Sequence, residues 1–295
     1  MRLAGLGVAL AVTILACGGA AHPGGPPARG SDDDDGPFVD RPDFEPTAFS
    51  VKVTGHGTPV IFIPGVACPG AVWDDTVARL GEGIQAHVIT LAGFAGEPPT
   101  RPSLLAKTRR QLVRYIRSRR LKDPIVVGHS LGGFLAYWLA ATAPDAVGAI
   151  VVVDAPPRYF ASDASARLLR NTWAQAGDDE LPRQVRAKFS GMARHRERLE
   201  PFIDQIAHSD RQTVGDAVYE LVKVDFTDQV ASITASVLLV LASGGLQDRY
   251  RRQAAGIDDL EVVVIPKTGH FVMLDEPAQF VRVLRAFIEE HASRD

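Results

Sequence analysis

The chain has almost no cysteine. Of its 295 residues only Cys17 and Cys68 carry a thiol, which excludes a disulfide framework. It also lacks the patterns that hold metal ions. The eight histidines are scattered, no two stand at i and i+4, and no C-x-x-C occurs. A dominant charge is missing too. With 32 Lys and Arg against 35 Asp and Glu, the net charge of −3 gives no general attraction to nucleic acid, and no DNA- or RNA-binding signature is present. There is no internal repeat. The N-terminal apolar run LAGLGVALAVTILA, about fourteen residues long, is too short to cross a bilayer core of about 30 Å comfortably. What remains is an ordinary globular composition, 46% hydrophobic and 23% charged, sufficient for one large domain or two small ones.

Arg2 and the apolar run after it read as an export signal. The run ends in ILACGG, which resembles the lipobox of bacterial lipoproteins with Cys17 as the lipidated residue. Ile14 and Leu15 depart from it, since leucine and a small residue are usual there. Cleavage near Ala20 or Ala21 is the alternative. Gly18, where an aspartate would retain the protein at the inner membrane, resembles an outer-membrane sorting signal. The expectation is a signal peptide over 1–17 and an exported, lipid-anchored protein facing the periplasm or the outer membrane. Residues 18–46, rich in Gly and Pro, bury too little apolar surface to offset their chain entropy and read as a flexible tether. The run Asp32 to Asp35 lacks the alternating spacing and closing glutamate of a calcium loop, so it reads as solvated charge.

From Thr47 onward, apolar runs and helical periodicity alternate. FSVKV, PVIFI, HVITL (87–91), IVV (125–127), AIVVV (149–153), VLLVL (237–241) and LEVVVI (260–265) read as strands, several covered on both faces. In LLAKTRRQLVRYIRSRRLK the stripe Leu104, Thr108, Leu112 and Ile116 marks a helix. LGGFLAYWLAA and AQFVRVLRAFIEEH are helical as well. This alternation predicts an α/β fold, a mostly parallel sheet flanked by helices. Residues 158–228 hold helical patterns and no strand. They read as a helical cap inserted into a core of 47–157 and 229–295. Lys107, Arg109, Arg110, Arg114, Arg117, Arg119, Arg120 and Lys122 form the solvated face of one helix, or a surface that leans on anionic lipid.

IVVGHSLGG concentrates the chemistry. The spacing Gly128-x-Ser130-x-Gly132 falls between a strand and a helix, where a tight turn lifts a serine hydroxyl above the sheet edge and the glycines avoid collision. The following helix directs its free N–H groups at the reaction centre. A serine needs a base, and the base an orienting acid. His270, on the loop after the last strand, is the base candidate. Asp248, after the penultimate strand, fits the chain order Ser…Asp…His, and Asp154 at the end of VVVDAPP is the alternative acid. The backbone N–H groups of Leu131 and Val66 are candidate oxyanion donors. Phe160, Leu168, Leu169, Trp173, Phe189, Met192 and Phe202 form either an apolar acyl pocket or the cap's own core. His129 and Cys68 read as packing residues.

These motifs, FIPGVACPGAVW, LAGFAG, GHSLGG, the Asp248 region and GHFVMLDEPAQF, resemble in their order the α/β-hydrolase superfamily of the cap-bearing esterase type, over roughly residues 47–295. Pro64-Gly65 stands where many relatives have His-Gly, which keeps the backbone donor and removes a bracing side chain. The resemblance implies an eight-stranded sheet and a cofactor-free serine hydrolase acting on a small-molecule ester. Ser130 sets the chain apart from relatives that use a carboxylate nucleophile. Thioesters, lactones, amides, some C–C bonds and acyl transfer remain open, as does a binding module without chemistry.

Overall fold

The computed structural model describes residues 44–177 and 180–292. Cys17, the tether and Asp32 to Asp35 lie outside them. Seven strands form one sheet in the order β1-β3-β2-β4-β5-β6-β7. They are β1 (Phe49–Gly55), β2 (Gly57–Ile63), β3 (Gly83–Leu91), β4 (Ile125–His129), β5 (Ala149–Val153), β6 (Ser236–Ala242) and β7 (Leu260–Ile265). Only β1 runs antiparallel, against β3; the other pairs are parallel. These are the seven runs read from the residues. The eighth strand implied by the resemblance is not found among the described residues.

β4 and β5 are buried at every position, as expected of short β-branched runs at the centre of a sheet covered on both faces. One face carries α1 (Asp74–Leu80) against α11 (Pro277–His291), and the other α2 (Leu104–Ser118) against α3 (Leu131–Thr142). Trp73 joins Phe62 of β2 to Phe280 of α11, with ring centroids 5.5 and 6.1 Å apart. On the opposite face Tyr115 of α2 meets Phe49 edge-on at 5.9 Å. Full burial of such side chains is worth about 1.5–3 kcal/mol each, and this clamps the sheet between its helices.

Basic residues of α2 and of its C-terminal cap make specific contacts. The guanidinium of Arg109 lies 5.1 Å above the Trp138 ring, that of Arg114 lies 4.3 Å above Phe44, and Arg119 pairs with Glu45 at 2.6 Å. The N-terminus of α2 has no side-chain cap of its own. Instead, Glu220 accepts hydrogen bonds from the Leu105 and Ala106 N–H groups at 2.9 and 2.8 Å, the place where a carboxylate best complements a helix dipole.

Glu220 belongs to the helices between β5 and β6. These are α4 (Asp163–Ala174), α5 (Leu181–Phe189), α6 (Arg196–Ala207), α7 (Arg211–Lys223) and the short α8 (Thr227–Val230). α4 packs on α7, and α5 on α6. A Cβ at Gly215 would stand 2.6 Å from the Arg170 carbonyl oxygen, so glycine permits the α4–α7 approach. The inserted helices lie over the loops at the C-terminal ends of the strands. Ser209 Oγ accepts from Ala95 N–H at 2.8 Å and donates to the Ala67 carbonyl at 3.2 Å. Asp210 N–H donates to the Gly93 carbonyl at 2.7 Å. Leu169, Trp173 and Phe189 are buried, and Met192 and Phe202 are partly so. Leu168 is 53% exposed, which removes it from both the cap core and an acyl pocket. Among the described residues no helix is long and apolar enough to cross a membrane.

His87 of β3 is buried, with Nδ1 2.8 Å from the Tyr115 hydroxyl and Nε2 3.0 Å from Gln85 Oε1. Burial, and secondarily the charge of Arg119, lower its pKa from 6.5 to about 4. The folded state therefore binds this proton less readily than the unfolded chain. The stability involved is complete above pH 6.5 and is lost as the pH falls toward 4. Urea midpoints should drop across that interval, and His87→Gln should flatten this part of the profile; a wild-type midpoint constant over the interval would contradict the assignment.

Candidate active site

Ser130 occupies the turn from β4 to α3 with φ 53° and ψ −115°. A non-glycine residue in such a conformation costs on the order of 1–3 kcal/mol and persists only where its surroundings impose it. Here Ser130 N–H donates to the Val153 carbonyl of β5 at 3.0 Å, and its own carbonyl accepts from Phe134 N–H at 3.0 Å. The glycines are required by backbone contact. A Cβ at Gly128 would stand 2.2 Å from the Gly132 carbonyl oxygen, and one at Gly132 would stand 2.3 Å from the Ile63 carbonyl oxygen.

The same packing brings the loop after β2 to the serine. A Cβ at Gly65 would lie 2.9 Å from His129 Nδ1 and 3.4 Å from Ser130 Cβ. Val66 follows directly on this loop, and Leu131 opens α3 beside Ser130. The Cys68 N–H closes the turn on the Gly65 carbonyl at 3.1 Å. Cys68 itself is buried and unpaired, and burial pushes its thiol pKa far up, so it fills space as an unreactive group.

His270 and its acid stand on the other flank. His270 Nδ1 is 2.7 Å from Asp154 Oδ2. Because a carboxylate only accepts, Nδ1 carries the hydrogen, leaving Nε2 with its lone pair free. Asp154 ends β5 with φ 49°. Its second oxygen accepts from Ala242 N–H at 3.1 Å, and its own N–H donates to the Val240 carbonyl at 2.8 Å. Both contacts tie the acid to β6.

Asp248, preferred on chain order, is not the residue paired with the imidazole. It is exposed in the first turn of α9 (Gln247–Ala254), beyond a loop that leaves the end of β6 at Ala242. Asp154 stands at the end of β5, adjacent to the strand that leads into Ser130, and reaches the histidine from there. Both aspartates satisfy the order Ser…Asp…His, so order alone could not separate them. The position of Asp154 flush with the end of a buried strand was the usable signal.

His129 does more than fill space. Its ring centroid lies 4.6 Å from that of His270, and its Nε2 is 3.0 Å from the His270 carbonyl oxygen. A carbonyl oxygen only accepts, so Nε2 carries a hydrogen and donates it. Burial, and then the neighbouring His270, hold its pKa well below the usual range.

Asp275, of the four-residue helix α10 (Val272–Asp275), was not read as functional at all. Its buried carboxylate accepts from Gly269 N–H at 2.7 Å, from His195 N–H at 2.8 Å and from Arg194 N–H at 2.9 Å. The Met192 carbonyl accepts from His270 N–H at 2.7 Å. The histidine loop is thus fastened to the inserted helices. Among the described residues no group of three or more His, Cys, Asp or Glu side chains is placed to hold a metal ion.

The profile of the alpha/beta hydrolase family matches residues 60–283. The chain belongs to this family. Curated relatives include a pimeloyl-[acyl-carrier protein] methyl ester esterase of Aeromonas salmonicida, 26% identical over 81% of this chain and 98% of the relative. An esterase of Mycobacterium tuberculosis is 29% identical over 86% and 91%. Among solved structures, a thermophilic esterase from Thermogutta terrifontis superposes with a TM-score of 0.74 at 20% identity, over 83% of this chain and 94% of that one. An enol-lactonase from Burkholderia xenovorans superposes with a TM-score of 0.72 at 15% identity, over 82% and 96%. In this alpha/beta hydrolase the carboxylate paired with His270 follows β5 rather than β6.

Two outcomes follow for the purified protein. Asp154→Asn should lower kcat on an activated ester by roughly 10³–10⁴-fold, because the imidazole loses its fixed tautomer, whereas Asp248→Asn should stay within about threefold. The reverse pattern would return the acid to Asp248. Asp275→Ala leaves three N–H groups without their acceptor and should lower unfolding stability by about 2–4 kcal/mol, read from denaturant midpoints.

Proposed function

We propose that the protein is a serine hydrolase of carboxylic esters. The observation that carries this reading is the 2.7 Å bond from His270 Nδ1 to Asp154, taken together with the serine held at φ 53° in the turn after β4. The strained turn presents the hydroxyl, the aspartate fixes the imidazole tautomer, and the free Nε2 is the base. The relatives named as esterases support the same class of bond.

In this mechanism Ser130 Oγ attacks the acyl carbon while His270 Nε2 takes its proton. The imidazolium is stabilised by Asp154, which stays ionised. Charge developing on the carbonyl oxygen is received by the backbone N–H groups of Leu131 and Val66, each worth about 2.7–4 kcal/mol in the transition state. The C–O bond to the alcohol breaks, His270 returns the proton to the departing oxygen, and an acyl-serine remains. Water then attacks by the same route, leaving a carboxylic acid and free Ser130. The inserted helices select the acyl group. Cys17 and the residues after it would tether the enzyme outside the cytoplasm, a reading that rests on ILACGG alone.

The test is covalent labelling of the purified protein with a fluorophosphonate probe. Wild type should label, and Ser130→Ala and His270→Ala should not. Esters graded by acyl length should then show a preference set by the pocket. Folded wild-type protein that takes no label and cleaves no ester would overturn the proposal.

A further inference from the structure

Tyr159 lies on the chain leaving β5, five residues after Asp154, where the fold passes from the sheet to the inserted helices. The segment is fastened on both sides. Arg158 N–H donates to Gln253 Oε1 at 3.2 Å, and the Arg158 guanidinium pairs with Asp225 at 2.7 Å. The Tyr159 ring packs 6.1 Å from that of Phe134, on the first turn of α3, so its position is set by the helix that Ser130 opens. Its hydroxyl is buried and makes no hydrogen bond of ordinary length and angle, while the Ser130 side chain acts on it as a longer hydrogen-bond partner and Asp154 through its charge. A buried hydroxyl left without a partner costs free energy. One facing the nucleophile can recover its bond from whatever binds there.

The sheet order indicates which substrate atom that is. β2 and β5 flank β4 on opposite sides. The loop after β2, with Gly65 against Ser130, serves the carbonyl oxygen. The chain after β5 carries Asp154 and, through it, His270. The departing oxygen must face His270 to receive its proton, so it lies on the flank from which Tyr159 approaches.

We propose that Tyr159 is a substrate-contacting residue whose hydroxyl donates a hydrogen bond to the alkoxy oxygen of an ester bound at Ser130. The hydroxyl keeps its hydrogen throughout, and the proton that leaves with the alcohol comes from His270. Burial, the largest influence on this phenol, raises its pKa far above the ordinary value, which suits a donor and excludes a base. The contact favours oxygen esters over thioesters, because sulfur is a weak acceptor. This inference rests on the ester-hydrolase reading above.

The experiment compares wild type with Tyr159→Phe on an oxygen ester and on the thioester of the same acyl group, with fluorophosphonate labelling of both proteins as the check on triad assembly. The substitution keeps the ring packed on Phe134. Labelling should be retained, kcat/KM for the oxygen ester should fall by about 10- to 100-fold, and that for the thioester should change by less than about threefold. Equal losses on both substrates, a loss of labelling, or oxygen-ester activity within twofold of wild type would each overturn the contact while leaving the esterase reading intact. Wild-type protein that cleaves neither substrate would overturn both.

Discussion

The close approach of β4 and α3 at Ser130 constrains the rest of the molecule. The turn has room for no side chain at Gly128 or Gly132, because the atoms each would meet belong to backbone at 2.2 and 2.3 Å. It also holds a serine at positive φ, a strain the turn cannot sustain alone. The neighbouring strands sustain it. β5 accepts the Ser130 N–H, and the Ile63 carbonyl at the end of β2 abuts Gly132. Once β4 lies between β2 and β5, the loops leaving those two strands must emerge on either side of the hydroxyl. The candidate site is therefore a consequence of strand order, with the Gly65 loop on one flank and Asp154 on the other.

The two halves of the Asp154–His270 pair are held differently. Asp154 is fixed by the sheet, through the Val240 carbonyl and the Ala242 N–H of β6. His270 sits on a loop held from below by His129, which binds its carbonyl, and from above by Met192, which binds its N–H. Asp275 gathers Gly269, Arg194 and His195 on one buried carboxylate, so the base cannot shift independently of the inserted helices. The inserted helices are thereby mechanically joined to the imidazole.

Much of this was legible in the residues. All seven strands appear as apolar runs because strands covered on both faces need no alternation to be recognised. The placement of Ser130 and His270 in the fold was legible because strand, glycine turn and helix stand in one short segment, and because GH follows the last strand. The choice between Asp154 and Asp248 was not legible. It depends on which strand end lies beside which in space, and chain order is silent on that. Asp275, His129 and Met192 escaped for a related reason. Their contacts are made largely by backbone carbonyls and N–H groups, several of them between residues 80 to 141 positions apart, and backbone groups leave no signature in the sequence.

Two buried polar atoms border the site without partners, His129 Nδ1 and the Tyr159 hydroxyl, and their surroundings separate them. His129 Nδ1 faces Gly65, where even a methyl group would stand 2.9 Å away. No ligand fits there, so its unmet acceptor is a fixed cost of positioning His270 through Nε2. The Tyr159 hydroxyl lies within reach of the Ser130 side chain. A cost in packed core is permanent, whereas a cost at a reacting centre is relieved when the substrate arrives. The free enzyme carries the penalty and the complex does not, so the difference appears as binding or rate.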